Sequence, residues 1–149
     1  MGKTSSAQTR EPSDARRRYL LCGRRWPGRI ADMKPAQVKP LISPELLDQM
    51  DLRVGTILTV TDVPDSEKLV ALEVSFGDHK RTVLVGMKRE RVNPREIEGK
   101  QALFVVNLPP KQMAGMLSEG MLLDIGYSDR ITPVLAVPET PVPDGTRAG

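Results

Sequence analysis

Between Leu52 and Ile125 the chain breaks into five short apolar runs, each closed by turn residues before it reaches helix length. Leu52, Val54, Leu58 and Val60 alternate with Arg53, Gly55, Thr59 and Thr61, the period of a strand with one buried face. Gly55 within that run marks a bulge or bend. Val63-Pro64-Asp65-Ser66 is turn chemistry. Val70, Leu72, Val74 and Phe76 then alternate with Ala71, Glu73 and Ser75. Gly77-Asp78 leads into a third strand, Arg81 to Met87, with Val83, Val85 and Met87 on one face. Asn93 to Ile97 reads as a capped helical turn closed by Gly99, Gln101 to Leu108 as a fourth strand, and Met121 to Ile125 as a fifth. Ile131 to Val137 adds an edge strand before Pro138, Pro141 and Pro143 end regular structure. Strands this short and this regularly spaced predict an all-β domain closed into a small barrel rather than an open sheet.

A five-stranded Greek-key barrel with one helical insert before strand 4 is an OB-fold. Its ligand face is flanked by the loops between strands 1 and 2 and strands 4 and 5. Here those loops are Val63 to Glu67 and Pro109 to Gly120. The second belongs to the stretch Asn107 to Leu123, which sets Lys111, Ser118 and Glu119 among prolines, glycines and methionines. One cation, a hydroxyl and a carboxylate between two strands make a recognition loop, with no group poised for bond chemistry. The rest of the chain also lacks a Gly-rich phosphate loop, paired histidines and a nucleophile motif. Asp51, Asp62, Asp65 and Glu67 are expected in surface and turn roles, with Asp51 anchoring a turn or pairing with Arg53. His79 is expected as a solvated loop residue. One histidine and one cysteine, Cys22, cannot furnish a zinc site or an internal disulfide. The expectation is a binder, not an enzyme, without metal or cofactor.

Charge divides the chain. Residues 1–32 carry eight cations and three acids, net +5, whereas the remainder carries fourteen cations and sixteen acids, net −2. The first 32 residues are polar and poor in aliphatics, so they are expected to form a disordered basic tail. Alternatively, Met33 is the true start. Residues 33–50 form an arm and a short helix, with Ser43 as N-cap, Pro44 at the first helical position and Glu45 favourable to the dipole. So short a helix must pack on the domain or a partner chain, which makes 33–50 the expected dimerisation element. The barrel is expected over 51–126, and 127–149 as a C-terminal extension. Within the barrel, Asp78 to Lys111 holds eight cations against four acids. A phosphate-binding surface is expected there, from Lys80, Arg81, Lys88, Arg89, Arg91 and Lys111. No apolar run approaches the roughly 18 to 20 residues of a membrane helix, and a cytoplasmic protein without a membrane partner is expected.

Four motifs in order carry a resemblance: Asp51-Leu52-Arg53-Val54-Gly55-Thr56-Ile57, Pro64-Asp65-Ser66-Glu67-Lys68-Leu69, Pro94 to Lys100, and Asn107 to Leu123. Together they resemble the tRNA-binding domain family, which includes free-standing dimeric tRNA-binding proteins, the C-terminal appendix of many methionyl-tRNA synthetases, and CsaA. The resemblance implies an OB-fold, a homodimer joined outside the barrel, and non-catalytic binding of tRNA by shape. Its RNA-facing loop matches Asn107, Lys111, Ser118, Glu119 and Met121. Val63 stands where several members have histidine, and Val85-Gly86-Met87 where many have Ser-Gly. Pro109 to Gln112 with Ser118-Glu119 is closer to CsaA, discussed as an export-related chaperone; Gly120 to Leu123 is closer to the synthetase appendix.

Single-strand OB binders stack bases on aromatic rings. This chain has five aromatics; Phe76 and Phe104 fall at core positions, leaving Tyr127 beside the loop. Recognition of structured RNA through phosphate and 2′-hydroxyl contacts is therefore expected. Two alternatives remain. Met113, Met116 and Met121 offer adaptable apolar surface for unfolded polypeptide, although packing onto the barrel is the plainer role, above all for Met121. The chain is otherwise a subunit assisting an aminoacyl-tRNA synthetase in trans.

Overall fold

The computed structural model describes residues 36–149; the expectations for the basic tail and for Met33 fall outside them. Helix α1, Pro44–Asp48, starts where the sequence signals place it, with the Ser43 side chain accepting from the Leu46 N–H at 3.3 Å. Ten strands follow: β1 Leu52–Asp62, β2 Val70–Ser75, β3 Lys80–Val85, β4 Gln101–Val105, β5 Lys111–Met113, β6 Met116–Ser118, β7 Met121–Leu122, β8 Asp124–Ile125, β9 Val134–Leu135 and β10 Arg147–Ala148. The main sheet runs β3-β2-β1-β4-β7, every pairing antiparallel. It curls so that residues just before β7 reach β3, where the Glu119 N–H donates to the Thr82 carbonyl at 2.8 Å. That contact nearly closes a five-stranded OB-type barrel. The 3₁₀ turn Pro94–Ile97, capped by Asn93, precedes β4 and drives Ile97 fully into the core.

The core follows the alternation of β2 and β3: Val70, Leu72, Val74, Phe76 and Val83 face inward with Ile57, Val60, Ala102 and Phe104. Phe76 and Phe104 meet edge to face with centroids 5.6 Å apart. Strand β1 departs from simple alternation. Ile57 pairs with Val74 and Thr59 with Glu73, so Leu58 is the extra residue of a β-bulge. The slip turns Ile57, not Leu58, into the core. The bulge sits there rather than at Gly55, where an added Cβ would lie 2.6 Å from Val74 and 2.9 Å from the Phe76 ring. Gly55 thus admits close packing instead of supplying a bend.

The C-terminal strands differ from expectation. The fifth, Met121 to Ile125, splits at Leu123 into β7 in the main sheet and β8 outside it. The edge strand Ile131 to Val137 contracts to β9, which pairs with β8 rather than the barrel edge. The prolines also do not end regular structure. β2 first pairs with β1 at Thr56, leaving the start of β1 open on that side, and β10 fills it with Leu52 opposite Ala148 and Arg53 opposite Arg147. Proline excludes a strand only where its missing N–H is needed; Thr146 to Ala148 lie beyond the last one. Gly145, at φ +85° and too close to the Phe76 carbonyl for any Cβ, lets the tail turn in.

Candidate RNA-binding face

The strand 4 to 5 loop is itself a β-ribbon. Pro109 and Pro110 cannot extend β4, and β5 and β6 pair across the turn Ala114-Gly115, both residues at positive φ (47° and 78°). The ribbon folds back onto the outer face of β2–β3. There Ala71 and Leu84 point away from the barrel core and form a second apolar cluster with Val63, covered by Leu69, Met113 and Met116. Met121, by contrast, is 48% exposed. The methionine roles are thus exchanged: Met113 and Met116 pack, and Met121 is presented. The reason is register, since Met113 and Met116 face each other at the ribbon tip.

Beside the ribbon runs a groove of about 760 Å³. Its cationic wall is Lys68, Arg89, Arg91 and Lys111, and its apolar floor includes Leu108, Met121 and Leu122, with Tyr127 at the side. Lys111 has no carboxylate partner among the described residues. Arg89 pairs with Glu67, and Arg91 with Glu96 at 2.7 Å. Of the two sequence-expected loops, the ribbon lines the groove, whereas Val63 to Glu67 does not; only the next residue, Lys68, reaches it.

The expected contact residues separate into two groups. Arg89, Arg91, Lys111, Ser118 and Met121 line the groove. Lys80, Arg81, Lys88, Asn107 and Glu119 do not: Lys80 pairs with Glu73 at 2.7 Å, and Lys88 reaches the Ser66 carbonyl at 3.2 Å and Asp62 at 3.4 Å. Asn107 accepts from the Asp51 N–H at 2.8 Å and donates to the Gln49 carbonyl at 2.6 Å, fastening the arm to the barrel. Ser118 is 4% exposed; its Oγ accepts from the Leu84 N–H at 3.0 Å and donates to the Gly120 carbonyl at 3.2 Å. Glu119 accepts from the Thr82 N–H at 3.1 Å. Arg81 donates to the carbonyls of Val106 at 2.6 Å and Glu119 at 3.1 Å.

The groove also holds Lys68, Glu90 and Asp124, which sequence reasoning did not single out. Lys68 follows directly on the expected loop Val63 to Glu67 and lies within the motif Pro64 to Leu69; the two acids gave no local signal. Burial pushes the Glu90 carboxyl up, and nearby Asp124 adds to the rise. Its charged form is disfavoured by folding, so it costs stability above the raised pKa, and the cost vanishes as pH falls through it. Glu90→Gln is expected to stabilise the protein at pH 7 and tighten polyanion binding, with melting temperatures of the two proteins converging as pH falls below the ordinary carboxylate range.

Elsewhere Asp51 and Arg53 form a two-pronged pair at 2.9 Å, which holds the Asp51 carboxyl below its usual range. His79 bonds Asp78 at 2.6 Å and stacks on Phe76. Among the described residues no group of three His, Cys, Asp or Glu side chains is placed to hold a metal ion, and no helix is long and apolar enough to cross a membrane.

These features define an OB-type barrel whose strand 4 to 5 loop borders a cation-walled groove. A family model described as a putative tRNA binding domain matches residues 52–147. The chain belongs to this tRNA-binding domain family. It is 39% identical over 117 residues to a methionine–tRNA ligase of Methanospirillum hungatei, covering 78% of this chain and 17% of that protein. A methionine–tRNA ligase of Phocaeicola vulgatus is 39% identical over 94 residues, 62% of this chain and 14% of that protein. The chain thus spans about one-sixth of the length of the curated relatives it matches. Among solved structures it is similar to a MetRS related protein from Pyrococcus horikoshii (TM-score 0.68, 32% identity), which covers 74% of this chain and all of that one. It is also similar to the chaperone CsaA from Bacillus anthracis (TM-score 0.63, 29% identity), again over 74% of this chain and all of the other.

Proposed function

We propose that the chain binds tRNA without catalysis, through phosphate and ribose contacts made at the groove and its rim. The observation that carries this reading is the convergence of Lys68, Arg89, Arg91 and Lys111, from three separate segments, on one groove. Family membership supplies the ligand class. Lys111 and Arg89 are the principal contacts, Lys80 and Lys88 extend the track, and Met121 packs against ribose or base. Exposed ion pairs such as Arg89–Glu67 and Lys80–Glu73 are weak enough to exchange a carboxylate for a phosphate. Three or four phosphate contacts give log Kd a dependence on log salt with a slope of magnitude about 3. Filter binding of total tRNA at two salt concentrations tests this, and a slope near zero would sink it.

The chain acts as a homodimer joined through the arm. Ile42, Leu46, Leu47 and Met50 are all at least 42% exposed, while Asn107 holds the end of the arm in one orientation. A second copy would cover these side chains. Light scattering should find a dimer for the full chain and a monomer once residues 34–50 are removed; a dimer that survives removal places the interface elsewhere.

The apolar floor of Leu108, Met121 and Leu122 favours a second reading, in which the groove holds unfolded polypeptide, in keeping with the likeness to a CsaA chaperone. Competition separates the two: polypeptide binding without tRNA binding selects the second. A synthetase is the protein partner of the tRNA-bound chain in the first reading, which the likeness to two methionine–tRNA ligases supports.

A further inference from the structure

We infer that Arg81, Ser118 and Glu119 form a positioning clasp that sets the pose of the recognition loop and does not itself contact RNA. This rests on the tRNA-binding reading above. Val106 directly follows β4, before the loop, and Glu119 lies on its far stem, between β6 and β7. The Arg81 guanidinium donates from a single nitrogen to both of their carbonyls, at 2.6 and 3.1 Å, so it ties the two stems together. Its Nε is engaged with His79 Nε2 at 3.3 Å. Charge-assisted bonds of this kind are the strong ones.

The second half of the clasp is on β3. The Thr82 and Leu84 N–H groups, which a neighbouring strand would take in a regular ladder, go to the Glu119 carboxylate and the Ser118 hydroxyl. The Glu119 N–H returns a bond to the Thr82 carbonyl at 2.8 Å. Two side chains thus substitute for a strand at the point of barrel closure. The consequence for binding follows from register: Lys111 is the direct partner of Ser118 in the ribbon. Pinning Ser118 to Leu84 places Lys111 over the groove. A lysine on an unpinned loop would spend its attraction for phosphate on ordering the backbone.

Salt-dependent tRNA titration of Arg81→Met and Arg81→Lys, with amide hydrogen exchange, tests the clasp. Both variants should weaken binding on the order of tenfold while leaving the salt slope unchanged, because no phosphate contact is lost. Lysine should not rescue, since it keeps the charge but lacks the planar fork. Exchange at the amides of Thr82, Leu84 and Glu119 should quicken, with that of Leu72 unaltered. Rescue by lysine, or a slope smaller by about one, would make Arg81 a phosphate contact and overturn the proposal. Unchanged affinity with faster exchange would reduce the clasp to stability alone and overturn it too.

Should the Arg81 variants fail to fold, Glu119→Ala serves. Loss of a negative charge alone would tighten RNA binding, whereas loss of the clasp weakens it. If the native protein shows no salt-dependent tRNA binding, the RNA reading itself fails. The exchange data then judge the clasp separately, and unaltered rates at Thr82, Leu84 and Glu119 overturn it.

Discussion

Reversing two charges, Lys111→Glu with Arg89→Glu, is expected to weaken tRNA binding roughly 100-fold at low salt. Both side chains are exposed and line the groove. Neither carries the fold: Lys111 is unpaired among the described residues, and the Arg89–Glu67 pair is a surface one. Each reversal removes one phosphate contact and adds a repulsion, so the salt slope should shrink by about 1.5 to 2. The measurement is filter binding across salt, beside a melting curve that should hardly move. A large loss of affinity with an unchanged slope would place phosphate elsewhere. An unchanged affinity would remove the groove from RNA binding altogether.

The second large effect concerns stability. Removing residues 142–149 is expected to cost on the order of 3 to 5 kcal/mol, because the tail contributes a whole set of hydrogen bonds to the barrel. The Val54 N–H donates to the Thr146 carbonyl at 2.9 Å, and the Gly145 N–H to the Val54 carbonyl at 2.8 Å. The Thr56 hydroxyl donates to Asp144 at 2.6 Å, and Gln101 exchanges bonds with Val142 in both directions, at 2.7 and 3.1 Å. Truncation strands Thr56 and Gln101 and bares the edge of β1, where unpaired strand groups invite aggregation. Urea unfolding checks it; a cost under about 1 kcal/mol would show that water replaces these bonds almost fully. Gly145→Ala is the milder version, since its left-handed φ and the Phe76 carbonyl exclude a Cβ.

The two predictions draw on parts of the chain that were unequally legible. The barrel was legible because alternation in β2 and β3 is unbroken and turn residues separate the runs, so Val70, Leu72, Val74 and Val83 could be read directly as core. Lys111 was legible as the loop's only cation. The bulge at Leu58 was not, because a one-residue slip leaves no mark in composition and shows only against the partner strand. Nor was β10: the edge it covers exists only once β2 and β4 have taken their places on β1.

For the candidate site the division is sharper. Local pattern determined the class of fold, the positions of the loops between strands 1 and 2 and strands 4 and 5, and the stretch of chain in which the polar residues lie. What each polar residue does was decided by tertiary structure. Ser118, Glu119 and Lys111 stand within eight positions of one another in a loop that looks uniformly exposed. Folding back onto β3 buries the first, engages the second with Thr82, and leaves the third over the groove. A hydroxyl or carboxylate near an unpaired backbone N–H is drawn to it, because leaving that N–H buried and unbonded is costly. Which N–H groups lack partners depends on how the barrel closes, and that is a property of strands far apart in the chain.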